Sequence, residues 1–216
     1  LEFRRVLFRS PHWQANYTFG QFTSDVDSKV QTVLRDASGN PIYSGTDLNL
    51  NGYRFTGANA IGAGSFSSTS GRYTWNQDHQ SHSVRLKSNT RSEWDWEAVT
   101  SVFRYVQDRN RIPGTALPTA DASGAGTIVS LDKTGWQTTD LKGYWRPQGL
   151  SGLHQVSFGL HSDQYDLRSN TYATADWRNA DIGTVNSSAF GSTRTRAVWL
   201  QDAWRFAPRY KLTLGG

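Results

Sequence analysis

TRTRAVWLQDAWRFAPRYKLTLGG, residues Thr193 to Gly216, is the stretch that decides the fold. Val198, Leu200, Trp204 and Phe206 share one parity, and Trp199, Gln201, Ala203 and Arg205 the other. After the polar corner Ala207-Pro208-Arg209, Leu212 and Leu214 alternate with Lys211 and Thr213. Successive side chains of a strand point to opposite faces, so the pattern predicts two antiparallel strands with one apolar and one mostly polar face. Asp202 interrupts the apolar parity, and either a strand end or a bulge accounts for it.

The same scheme recurs upstream. Trp13 to Phe19, Arg72 to Ser88, Glu93 to Tyr105, Trp136 to Arg146 and His154 to Asp166 each alternate over part or all of their length. In the third of these, Trp94, Trp96, Ala98, Thr100 and Val102 oppose Asp95, Glu97, Val99 and Ser101. The TWNQDHQSHS half of the second is polar on both faces, as expected of a strand that projects beyond a membrane. Short turns follow Ser88 and Arg146. Long, polar, Gly/Pro-rich connections are expected over Ser24–Gly71, Gln107–Gly135 and Leu167–Ser192, the first containing a small hairpin around ASGNP. Short turns at one end and long loops at the other are the organisation of outer-membrane barrels. The fold expected is therefore all-β: about seven strands of a larger up-and-down transmembrane β-barrel, antiparallel, with short periplasmic turns and long extracellular loops.

Composition agrees. The 216 residues include 9 Trp, 9 Tyr, 10 Phe and 20 Gly, a profile of strands and turns rather than helices. No run approaches the roughly 18 apolar residues of a membrane helix. A low mean hydropathy is compatible with barrel strands, which need an apolar residue only at alternate positions. The absence of cysteine excludes a disulfide scaffold, a thiolate metal site and a Cys nucleophile. The net charge of +5 is interspersed, not clustered, so no nucleic-acid partner is expected.

Several residue groups invite a chemical reading. His79 and His82 have a metal-like spacing, but on a strand they fall on opposite faces and diverge, so no metal site is expected. Ser157, His161, Asp163 and Tyr165 share one face of one strand, too far apart for a nucleophile and its base, and no G-x-S-x-G elbow exists. Glu93, Asp95 and Glu97 beside Trp94 and Trp96 resemble a glycosidase cleft only in composition. They are expected to meet cations of neighbouring strands, such as Arg85 and Lys87. No catalytic residue and no bound cofactor is expected. Tyr172, Trp177 and Arg178, with Arg168, and Arg109 with Arg111, put aromatics and guanidinium groups in the predicted outer loops. They are the candidate contacts for an aromatic, anionic ligand, against local packing of the loops themselves.

The run WLQDAWRFAPRYKLTLGG resembles a late barrel hairpin of the TonB-dependent outer-membrane receptors. HSVRLKSNTRSEWDWEAVTSVFRYVQDRNR and HQVSFGLHSDQYDL resemble further strands of that family, so the likeness covers roughly Asn16 to Gly216. It implies energised uptake of a scarce ligand, most often a ferric siderophore, across the Gram-negative outer membrane. Extracellular loops and an N-terminal plug capture the ligand in that family, and a TonB complex pulls the plug. Any iron is carried by the ligand. The expected partners are outer-membrane lipid, the ligand, and the TonB complex through a segment outside this sequence. The alternatives are a passive porin-type channel and a secreted Trp-rich β-domain binding or cleaving carbohydrate. The first ten residues, LEFRRVLFRS, resemble a translated sequencing-library adapter and are set aside, leaving residues 11–216 as the barrel portion, without plug or TonB box. On that reading the chain is part of a longer gene, and an open sheet with two unpaired edges is not expected to be stable alone.

Overall fold

A computed structural model describes residues 2–29, 31, 35, 38–46, 48–50, 53–55, 65–67 and 72–216. Its thirteen strands are β1 (Glu2–Arg9), β2 (Trp13–Ser28), β3 (Ser44–Thr46), β4 (Leu48–Leu50), β5 (Tyr53–Phe55), β6 (Ser65–Ser67), β7 (Tyr73–Ser88), β8 (Trp94–Pro113), β9 (Gly126–Ser130), β10 (Gly135–Trp145), β11 (His154–Thr174), β12 (Val185–Ala207) and β13 (Tyr210–Gly215). Nine of them form one antiparallel sheet in the order β1-β2-β7-β8-β10-β11-β12-β13, with β9 inserted between β8 and β11. β9 and β10 both run antiparallel to β8 and to β11, so they occupy one position in the sheet, interrupted at 131–134. The sheet is an up-and-down meander eight positions wide. The remaining four strands make two small pairs, β3 with β6 and β4 with β5. Among the described residues no helix is long and apolar enough to cross a membrane, which says nothing about strands.

Register explains the two faces. Trp94 pairs with Trp145, and Trp145 with Val156. One pleat further, Trp96, Gly143, Phe158 and Leu200 lie in line, and next come Ala98, Leu141, Leu160 and Val198. Directly paired residues share a face, so one face is an apolar band across the sheet. It faces outward: Trp94 and Leu160 are each 53% exposed. On the opposite face Asp95 and Glu97 are 7% and 9% exposed. A sheet that folds in water buries the first set and exposes the second. Here the order is reversed.

Asp202 falls on the apolar face, opposite Val156 and Leu214. Its carboxylate lies 2.7 Å from His154 Nδ1, and the His154 ring stacks parallel on Trp204 at 5.9 Å. An irregular register between Trp204 and Ala207 follows. The interruption in the alternation is thus a polar pair at the short-turn end of the band.

The strands are longer than expected. β8, β11 and β12 contain 20, 21 and 23 residues, about twice the 9–11 that cross a bilayer. Residues 24–28, 107–113, 126–130, 167–174 and 185–192, read from sequence as loop, are strand. These extensions lack an apolar parity. Their order comes from ladder hydrogen bonds, which leave no trace in side-chain pattern. Among the described residues the excursions beyond the sheet are 114–125, with a 3-10 turn at Thr119–Asp121, and 175–184, together with the described parts of the connection from β2 to β7. Of the hairpin expected around ASGNP, Arg35 and Pro41 form an isolated antiparallel bridge, and much of the rest lies outside the described residues. Glu2–Arg9 pairs with β2 as an exposed edge strand.

Among the described residues the buried apolar side chains are Leu117, Ala120, Ile128, Trp177 and Ala203. The first four lie at the long-connection end. The core therefore sits where the long connections meet and not within the sheet's apolar band.

Candidate functional site

The polar face is built from pairs that cross between strands. Glu97 accepts two hydrogen bonds from Arg85, each 3.0 Å, as expected of an acidic row beside a basic neighbour. Asp95 is held by Arg146 at 2.9 Å, by Ser88 and by the Thr90 amide. His161 lies 2.9 Å from Asp140, while Asp163 accepts from Thr138 at 2.7 Å. His161 and Asp163 thus have separate partners on β10 and do not act on Ser157 as a triad.

Above this polar zone an aromatic row crosses the same face. Phe103 stacks on Trp136 at 4.3 Å, and His79 stacks on Tyr105 at 3.9 Å with the rings 9° from parallel. Phe22 lies 5.7 Å from His79, and Tyr165 is directly opposite Trp136. Phe22 and Trp136 remain about two-fifths exposed. Behind the row, the buried Asp108 accepts from Trp75 Nε1 and lies 2.8 Å from His79 Nε2, fixing the imidazole plane. The row is thus a preorganised surface for stacking against a flat ring. His82, on the other face, contacts the Tyr17 hydroxyl at 2.7 Å, so the two histidines diverge. Among the described residues no three of His, Cys, Asp or Glu cluster so as to hold a metal ion.

The long-connection end has its own centre. Arg72, 2% exposed, donates to Asp27 at the end of β2, to the Ser28 carbonyl at 2.7 Å and to Asp121 at 3.0 Å, and its guanidinium covers Trp177 at 4.9 Å. Lys29 also pairs with Asp121. Hydrogen bonding to that carboxylate raises the Lys29 pKa above its ordinary value.

The six residues singled out from sequence divide between places. Trp177 is 1% exposed, with its indole N–H 3.3 Å from the Ala122 carbonyl and the Arg178 guanidinium 5.1 Å from its ring centroid. Arg111 donates to the Ala180 carbonyl at 2.8 Å and to that of Trp177 at 3.4 Å. Those three therefore form one packed junction. Arg109 is paired with Asp132 at 2.7 Å, and Tyr172 stands between Ile128 and Val185 in the ladder. Arg168 is exposed and lines a cavity of about 400 Å³ with Arg104, Tyr105, Val106, Lys133 and Asp166.

Sequence reading missed the aromatic row and Arg72. A signal for the row existed. Phe103, Trp136 and Tyr165 each lie nine residues from the paired girdle positions Trp94, Trp145 and Val156 of their own strands, on the polar parity. No local pattern marks Arg72, whose partners are 44 to 105 residues away along the chain.

No family model, no curated protein and no solved structure matches this chain.

Proposed function

We propose that this chain forms part of the wall of an outer-membrane β-barrel whose protein takes up a scarce ligand by TonB-dependent active transport. The observation that carries the membrane reading is the reversed burial of the sheet, with Trp94, Trp96, Phe158, Leu160, Val198 and Leu200 outward and the ion pairs of Asp95 and Glu97 behind them. Contiguous exposed apolar surface of this kind marks a membrane or a partner. Short and long connections alternate as in outer-membrane barrels. Tryptophans at the short-turn edge suit an interfacial girdle.

The transport reading rests on the resemblance of the β7–β8, β11 and β12–β13 sequences to the TonB-dependent receptors. The aromatic row on the inner face supports it by offering ring-stacking surface to a ligand such as a catecholate or heteroaromatic ferric siderophore. The protein adds no iron ligands of its own on this reading, because the siderophore completes the metal's coordination.

The test is to express the complete gene in an outer-membrane host lacking its own siderophore receptors. The expected result is a heat-modifiable outer-membrane protein that restores uptake of labelled ferric siderophores only when the TonB complex is present. Uptake independent of TonB would make it a passive channel. A protein soluble without detergent would exclude the barrel.

A further inference from the structure

The aromatic row by itself accepts any flat ring, but the charge around it is one-sided. From the level of Ser83 and Ser101 to the long-connection end, register puts Phe22, Trp75, Phe103, Tyr105, Trp136 and Tyr165 on the polar face. Among the described residues of the sheet no lysine or arginine falls on that face there. The arginines of the same stretches, Arg104, Arg109, Arg111, Arg168, Arg194 and Arg196, all fall on the opposite face. The register shift in β8 opposite Asp78 and His79 keeps Arg109 and Arg111 on that side, level with Asn76 and Thr74. The cations of the polar face, Arg85, Lys87 and Lys142 among them, sit nearer the short turns, level with Val99 and Glu97.

Three carboxylates stay with the row. Asp108 and Asp140 each face a histidine, at 2.8 and 2.9 Å. Asp163 forms no ion pair among the described residues. One of its oxygens accepts the Thr138 hydroxyl at 2.7 Å, and it lies one same-face step, about 7 Å, from Tyr165 and the Trp136 opposite it.

The face of an aromatic ring carries negative charge density, so it attracts a cation and repels an anion. An unneutralised carboxylate beside it acts in the same direction, and a wall of one sign reinforces the field. Elsewhere the chain meets this chemistry from within: the Arg72 guanidinium lies 4.9 Å over the Trp177 ring. Among the described residues the row has no such cation of its own.

We propose that the row is a binding site for a planar heteroaromatic cation, whose ring lies against Trp136 and Tyr165 and whose positive charge meets Asp163. Within the ligand class proposed above, the site favours ring-bearing complexes with a positive charge over anionic catecholates, which meet a surface of their own sign. The inference rests on the reading of the polar face as a lumen wall.

The experiment uses the protein expressed from its complete gene and purified in dodecyl maltoside. Titration calorimetry near neutral pH, corrected for the micelles alone, compares three rings of one size and different charge: N-methylquinolinium, quinoline and quinoline-2-carboxylate. The cation should bind about tenfold tighter than the neutral ring, and the carboxylate weakest of all. Asp163→Asn should weaken N-methylquinolinium about tenfold while leaving quinoline unchanged, and Trp136→Leu should weaken both. Absent binding of N-methylquinolinium, binding of quinoline or its carboxylate as tight as that of the cation, or a cation affinity unmoved by Asp163→Asn overturns the proposal. The ranking of the three rings on the parent protein needs no variant to fold. Outer-membrane fractionation and heat-modifiable gel migration are followed in parallel. A parent protein that fails these two assays refutes the barrel reading itself, whereas one that passes them without preferring the cation refutes the cation site alone.

Discussion

The Arg72 guanidinium lies 4.9 Å over the Trp177 ring, joining the start of β7 to the connection between β11 and β12. Through Asp27 and Asp121 the same guanidinium also holds the end of β2 and the 114–125 excursion. One buried cation thus ties together the connections at that end of the sheet.

Replacing Arg72 with Ala should loosen all of these contacts at once. Asp121 is only about one-third exposed and would lose one cation while keeping Lys29, so the expected cost is about 2 kcal/mol, below the range for a fully buried pair. Limited proteolysis should cut within 114–125 faster, and Trp177 emission should shift to the red. Unchanged cleavage and emission would show that the junction is held without Arg72.

The two partners of the Arg85–Glu97 pair are unequally buried, with side-chain exposures of 50% and 11%. Arg85→Met leaves a carboxylate with little access to water, whereas Glu97→Gln leaves a guanidinium that water can reach. The first should cost about 1 kcal/mol more than the second, because an unsatisfied buried charge loses its desolvation energy in full. Urea unfolding of both variants, followed by tryptophan fluorescence, measures the difference. Equal losses would contradict the asymmetry.

Phe158 covers Gly143 on the apolar face, and Trp199 covers Gly159 on the polar face. A Cβ at either glycine collides with the ring. Phe158 is 41% exposed and can swing outward, but Trp199 packs toward the more crowded face. Gly159→Ala should therefore destabilise by about 1–3 kcal/mol, and Gly143→Ala by clearly less. Thermal loss of the folded gel band ranks the two variants, and the reverse order would be evidence against this packing.

Leu160→Arg places a charge in the middle of the outward band. In a bilayer it should cost about 2–4 kcal/mol and reduce membrane assembly. Thr138→Arg, on the opposite face, should leave assembly nearly unchanged. If Leu160→Arg instead improved yield and solubility in buffer, the outward face would not be in contact with lipid.

Alternation along Trp94–Val102 and Val198–Leu214 was enough to determine the strands, their two faces and the alternation of short and long connections. Side-chain period is a local property of a pleated chain with two different faces, so it is written in consecutive residues. It disappears in the extensions such as 167–174 and 185–192, and there only the ladder defines the strand. The tertiary structure alone decided register, and with it the aromatic row, the pairing of Glu97 with Arg85 and the place of Asp163 beside Trp136 and Tyr165. It also decided that Trp177 is buried, in contact with Arg72 and Arg178, and not displayed on a loop. These relationships join residues from different strands and connections, and their positions in space depend on closures and hydrogen-bond alignments that no contiguous segment encodes.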